Sequence, residues 1–99
     1  MMECRNLEQV DVLVCGAGCA GFCAAVQAAR AGMKTALVER YGMPGGIMTV
    51  MGNNDVALFY AHKRQVIRGI GWEFVVRLAE SGFASIPDMT GDTLTPSWE

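Results

Sequence analysis

This sequence of 99 residues has little net charge and little histidine. Eight lysines and arginines face ten aspartates and glutamates, for a net charge of −2, and there is one histidine. Nucleic acids and anionic membranes attract strongly basic surfaces, so this balance argues against both as partners. The length allows one small domain, and with 52% hydrophobic residues the composition can supply its core.

The sequence also lacks a secretory signal pattern and the cysteine pairs that zinc sites use. Residues 1–9 form a polar leader of mixed charge, without the basic and apolar regions of a signal peptide. We therefore expect a cytoplasmic protein with reduced thiols. Cys15, Cys19 and Cys23 are spaced C-x₃-C-x₃-C, whereas zinc and redox motifs use C-x₂-C. We expect no metal site and interpret these cysteines as small, buried apolar side chains.

The longest uncharged run covers residues 12–29, which is close to the length of a membrane helix. Gly16, Gly18 and Gly21 interrupt it, and its composition changes midway from β-branched and leucine residues to alanine. We therefore expect that this run does not span a membrane.

The first forty residues have the pattern of a strand, a helix and a second strand. The apolar runs at 10–15 and 34–39 predict strands that are buried on both faces, as in a parallel sheet. Between them, the alanine-rich stretch 18–31 predicts a helix that ends at Gly32. The sequence therefore predicts an α/β fold that begins with a right-handed, Rossmann-like βαβ unit.

The pattern after this unit is less regular. Residues 40–54 predict an irregular loop with four glycines, of a length that is usually functional. A second helix is predicted over residues 65–81. Its apolar residues recur every four positions, as Val66, Ile70, Phe74 and Leu78. Two strands and two helices leave open sheet edges, so we interpret the chain as an incomplete part of a larger domain whose remainder is its expected partner.

Three spaced glycines lie where the first predicted strand passes into the helix. Gly16-x-Gly18-x-x-Gly21 is the dinucleotide-binding pattern, in which each glycine has its own task. The first makes the tight turn, the second admits a pyrophosphate close to the backbone, and the third lets the helix pack closely on the strand. The free amides of Cys19, Ala20 and Gly21 would then point toward the phosphates from the helix N-terminus.

An acidic residue ends the second predicted strand. Glu39 lies 18 residues after Gly21, where its carboxylate can accept hydrogen bonds from ribose hydroxyls and would repel the 2′-phosphate of NADP. Arg40 leaves two interpretations open: a phosphate partner, or a residue that stacks on adenine or lies in solvent. A βαβ unit whose glycines serve packing alone is the alternative, and the pattern by itself does not distinguish FAD from NAD.

Residues 11–46, DVLVCGAGCAGFCAAVQAARAGMKTALVERYGMPGG, resemble the N-terminus of FAD-dependent oxidoreductases with the glutathione-reductase-type FAD-binding fold. In that family a paired glycine, matched here by Gly45-Gly46, follows the acid and comes close to the pyrophosphate and ribityl chain of the flavin. The later stretch RQVIRGIGWEFVVRLAESG resembles the fumarate-reductase-like branch, and Thr49 matches the threonine of its Gly-Gly-x-x-T loop. Cys19 stands where the family often has proline or serine.

The resemblance implies a partial FAD-binding domain over residues 10–83, followed by a truncated, turn-rich tail over residues 84–99. It implies an oxidoreductase in which FAD transfers hydride or electrons to an unknown substrate, and a fragment that is inactive by itself. An NAD-binding dehydrogenase domain and a non-catalytic nucleotide-binding remnant are the alternatives. The sequence identifies no catalytic residue. The expected cofactor ligands are Gly16, Gly18, Cys19, Ala20, Gly21, Glu39, Arg40, Gly45, Gly46 and Thr49.

Overall fold

The computed structural model describes residues 8–53, 59–61 and 64–86. The chain divides into two compact units, residues 1–54 and residues 55–99, which are described separately. Most of the predicted leader and most of the predicted tail lie outside the described residues, as do Cys4 and His62.

The first unit is built from two strands and the helix between them. Strand β1 spans Val12–Cys15, helix α1 spans Cys19–Arg30, and strand β2 spans Thr35–Val38. The two strands pair in parallel, with Val12 opposite Thr35. This arrangement confirms the predicted Rossmann-like α/β start, although each strand is shorter than predicted. Among the described residues, no helix is long and apolar enough to cross a membrane.

Within the first unit, only one face of this small sheet is covered by a described element. The α1 helix packs on the face that carries Val14, while Leu13 is 58% exposed and Val38 is 53% exposed. The prediction that both faces are buried is therefore wrong for this part of the chain, because it contains a single helical layer. For the same reason Cys15, predicted as a buried side chain, is exposed on the open side of β1.

The second unit departs from the sequence prediction. Strands β3 (Tyr60–Ala61) and β4 (Arg64–Gln65) pair antiparallel, where a helix was expected from residue 65 onward. Helix α2 spans Ile70–Glu80 and begins after Gly69. Gly69 has a φ of +81°, which lies outside the helical range, so the helix does not extend back to residue 65 as the apolar period predicted. Phe59 and Tyr60 pack their rings against Trp72 of α2.

Candidate functional site

The chain leaves β1 through the glycine turn, Gly16-Ala17-Gly18, and enters α1 directly. Gly16 has a φ of +101°, a conformation that residues with side chains rarely adopt, so glycine is required here by the backbone. Its amide donates to the carbonyl of Val38 at 2.7 Å, which holds the turn at the end of β2. Ala17 is 1% exposed and anchors the turn in the unit.

Gly21 is required for a different reason, since it lies in the first turn of α1 against the glycine turn. A Cβ at this position would fall on the carbonyl oxygen of Gly16 and would lie 3.4 Å from Cγ1 of Val14. Glycine therefore allows α1 to approach β1 closely, and any side chain here would push helix and strand apart.

Gly18 is the N-cap of α1, and neither of these reasons applies to it. Its φ of −65° is open to any residue, and a Cβ built on it would meet no described atom within 4 Å. No side-chain hydrogen bond caps the helix among the described residues. The space around this position is therefore open at the N-terminus of α1, which begins with the amides of Cys19, Ala20 and Gly21. The structure thus has a site where absence of a side chain leaves room for an anion at a helix N-terminus.

The loop after β2 reaches back to this place. We call residues 44–49 the Gly-Gly loop. The amide of Gly45 donates to the carbonyl of Ala17 at 2.7 Å. A Cβ on Gly46 would lie 2.8 Å from Cα of Gly18, so the two backbones are in direct contact. The short 3₁₀ turn Gly46–Met48 follows at once. The structure thereby brings together two glycine groups that are far apart in the sequence.

Thr49 closes the Gly-Gly loop. Its hydroxyl donates to the carbonyl of Pro44 at 2.6 Å, and its amide donates to the carbonyl of Gly46 at 3.2 Å. Its side chain lies against Gly45, where a Cβ would come within 2.6 Å of the Thr49 hydroxyl oxygen. Both hydrogen-bond donors of Thr49 are therefore used inside the loop.

The carboxylate of Glu39 joins the glycine turn to the residues after β2. Oε2 accepts from the amide of Ala17 at 2.6 Å, and Oε1 accepts from the amide of Tyr41 at 3.0 Å. The hydrogen bond from Tyr41, then that from Ala17, lower the pKa of Glu39, and the charge of Arg40 adds a smaller effect. The carboxylate is therefore ionised at neutral pH.

Arg40 lies over a ring of the protein itself. Its guanidinium carbon is 5.4 Å from the centre of the Tyr41 ring, within the range of a cation–π contact. Both side chains are exposed. Contact of Arg40 with a phosphate or with adenine stays a prediction.

The cysteines are not arranged as a metal site in the described part of the chain. Cys19 is exposed, with its sulfur 3.7 Å from the carbonyl oxygen of Gly45, and Cys23 is half-buried one turn further along α1. No group of three or more histidine, cysteine, aspartate or glutamate residues that could hold a metal occurs among the residues described.

Sequence reasoning identified the glycines and the acid but missed two backbone contributors. Ala17 donates to Glu39 and accepts from Gly45, and Tyr41 supplies the second donor to Glu39. Their side chains carry no signal for this, because their amides and carbonyls form the contacts. The position of Ala17 between two motif glycines was the available clue. All ten expected ligands lie in the first unit, within residues 16–49.

These features suit a dinucleotide: an open helix N-terminus, an ionised acid beside it, and a second glycine backbone against the first. A family model described as FAD dependent oxidoreductase matches residues 11–97, which is nearly the whole chain. No match was found among solved structures.

Proposed function

The chain belongs to the FAD-dependent oxidoreductase family, and from this we propose that its first unit grips the ADP half of FAD in a flavoprotein oxidoreductase. Family membership confirms FAD as the cofactor that the sequence resemblance implied. Membership of the fumarate-reductase-like branch and the individual cofactor ligands are proposals, and no substrate is proposed. Bound FAD would supply hydride or electron transfer, while the residues described here bind and orient it.

The open space at Gly18 is the observation that carries this proposal. Packing explains Gly21 and backbone conformation explains Gly16, whereas within the described chain nothing requires glycine at 18. A pyrophosphate placed there would accept hydrogen bonds from the amides of Cys19 and Ala20, and the positive end of the helix dipole would favour its charge. The Gly45-Gly46 backbone would border the same phosphates.

Glu39 would hold the ribose of the adenosine. Its carboxylate is held at the glycine turn by the Ala17 amide, so an accepting group lies next to the proposed phosphate position. Ribose hydroxyls donate to such a carboxylate, whereas a 2′-phosphate would be repelled by its negative charge. We expect FAD to bind by these contacts, with the remainder of the polypeptide completing the flavin site.

The test is Gly18→Val in the complete protein, with Gly42→Val as the matched control. Both glycines have an ordinary φ and open space for a Cβ within the described chain, but only Gly18 lies at the N-terminus of α1. We expect Gly18→Val to lose bound flavin, measured by the flavin spectrum released on denaturation, and Gly42→Val to keep it. Full flavin content in Gly18→Val, or release of a nicotinamide nucleotide from the unaltered protein, would contradict the proposal.

A further inference from the structure

Thr49 was expected to be a cofactor ligand, and the geometry points to a different role. We infer that Thr49 is a positioning residue: it holds the Gly-Gly loop against the glycine turn and does not donate to the cofactor. The inference rests on the proposed function for its effect on FAD, but its structural half stands on contacts within the protein.

Thr49 has two hydrogen-bond donors, its hydroxyl and its amide. A threonine hydroxyl has one proton and two lone pairs. The proton of Thr49 is directed at the carbonyl of Pro44, and its amide proton is directed at the carbonyl of Gly46. Phosphate oxygens accept hydrogen bonds and must be met by donors. With both of its protons used in the loop, Thr49 has none to offer to a pyrophosphate.

A chain of contacts connects Thr49 to the proposed phosphate position. The Thr49 side chain lies against Gly45, the amide of Gly45 donates to the carbonyl of Ala17, and Gly46 touches Gly18. The hydrogen bond from the Thr49 hydroxyl to the carbonyl of Pro44 closes the Gly-Gly loop and so holds Thr49 beside Gly45. Without it the loop loses its closure, and Gly45 is less firmly held on the glycine turn.

Two substitutions separate positioning from direct binding. Thr49→Val removes the hydroxyl and nearly keeps the shape of the side chain, and Thr49→Ser restores the hydroxyl. The matched control is Thr35→Val, because the hydroxyl of Thr35 also donates to a backbone carbonyl, that of Met33 at 2.9 Å, at the opposite end of β2. The measurements are amide hydrogen exchange at Gly45 in the cofactor-free protein and the dissociation constant of FAD.

In Thr49→Val we expect the hydrogen-exchange rate of the Gly45 amide to rise several-fold to about tenfold, as the loss of one hydrogen bond predicts. We expect the dissociation constant of FAD to rise by a similar factor. Thr49→Ser should restore both quantities, and Thr35→Val should change neither. Weaker FAD binding with unchanged exchange at Gly45 would overturn the inference in favour of direct contact. Unchanged FAD binding in Thr49→Val would also overturn it.

Failure of the proposed function and failure of the positioning role give different results. If the unaltered protein failed to bind FAD, the proposed function would fall, and with it the effect of Thr49 on the cofactor. The exchange measurement needs no cofactor, so it would still show whether Thr49 holds the loop. If FAD bound and exchange at Gly45 did not respond to Thr49→Val, the positioning role alone would fail.

Discussion

Oε2 of Glu39 accepts a hydrogen bond from the backbone amide of Ala17, with 2.6 Å between the two atoms, across 22 residues of sequence. The bond joins the residue after β2 to the turn after β1. It is possible because β1 and β2 are parallel neighbours, so their carboxyl ends lie at the same edge. Glu39 therefore has two tasks: it holds the glycine turn, and it presents an ionised carboxylate beside it.

This double role predicts a pH dependence for Glu39. Its pKa in the folded protein is below the ordinary value of 4.5, because the amides of Tyr41 and Ala17 donate to the carboxylate. Its contribution to stability is therefore complete above the unfolded pKa and is lost as the pH falls through the folded pKa. We expect Glu39→Gln to unfold at a lower temperature than the unaltered protein at pH 7, and the difference to shrink below pH 4.5.

Thermal unfolding over a pH series checks this. Glu80→Gln is the control, since it makes the same change at an exposed position in α2. A stability difference for Glu39→Gln that stays constant from pH 7 down to the acid range would show that the charge of Glu39 is not what holds the turn.

We expect glycine-to-alanine substitutions in the two helices to change the free energy of unfolding in opposite directions. Gly21→Ala would drive a methyl group into the carbonyl of Gly16, and we expect it to destabilise the fold by about 1–3 kcal/mol. Gly71→Ala would place its methyl in ordinary contact, 3.8 Å from Phe59, and we expect it to stabilise α2 by up to about 1 kcal/mol. Denaturant unfolding of both variants measures the two effects. A neutral Gly21→Ala would mean that α1 does not need its close approach to β1.

Cys19 provides a chemical probe of the proposed phosphate position. Its thiol is exposed in the first turn of α1, and Cys23 is half-buried on the same helix. We expect bound FAD to slow alkylation of Cys19 by iodoacetamide severalfold, with a smaller effect on Cys23. Mass spectrometry that assigns the label to each cysteine measures both rates in one sample. Equal rates at Cys19 with and without FAD would place the cofactor elsewhere.

Local pattern predicted the first unit well. Short apolar runs, an alanine-rich stretch and the glycines that follow them are local signals, and β1, α1 and β2 lie where these signals indicated. The second unit shows the limit of such signals. The apolar period of four residues begins at Val66, but the positive φ of Gly69 prevents the helix from beginning before Ile70, and residues 64 and 65 join a strand pair instead.

In the candidate site, too, local sequence signals identified some residues, and only the folded chain revealed the contacts of others. Gly16, Gly18, Gly21 and Glu39 could be identified from spacing, because the glycine turn and the strand end are local features. The partners of Thr49 and the exposure of Cys15 could not, because a hydroxyl bonds to whichever acceptor the folded chain brings within reach, and burial depends on what covers a face.

By itself, the sequence determined that a strand, a glycine turn, a helix and a second strand ending in an acid would follow one another. Only the tertiary structure decided that Gly46 would touch Gly18, that Ala17 would donate to Glu39, and that Thr49 would direct its proton to Pro44. The physical reason is that parallel pairing of β1 and β2 brings distant loops to one edge, where backbone groups without any side-chain signal come into hydrogen-bonding distance.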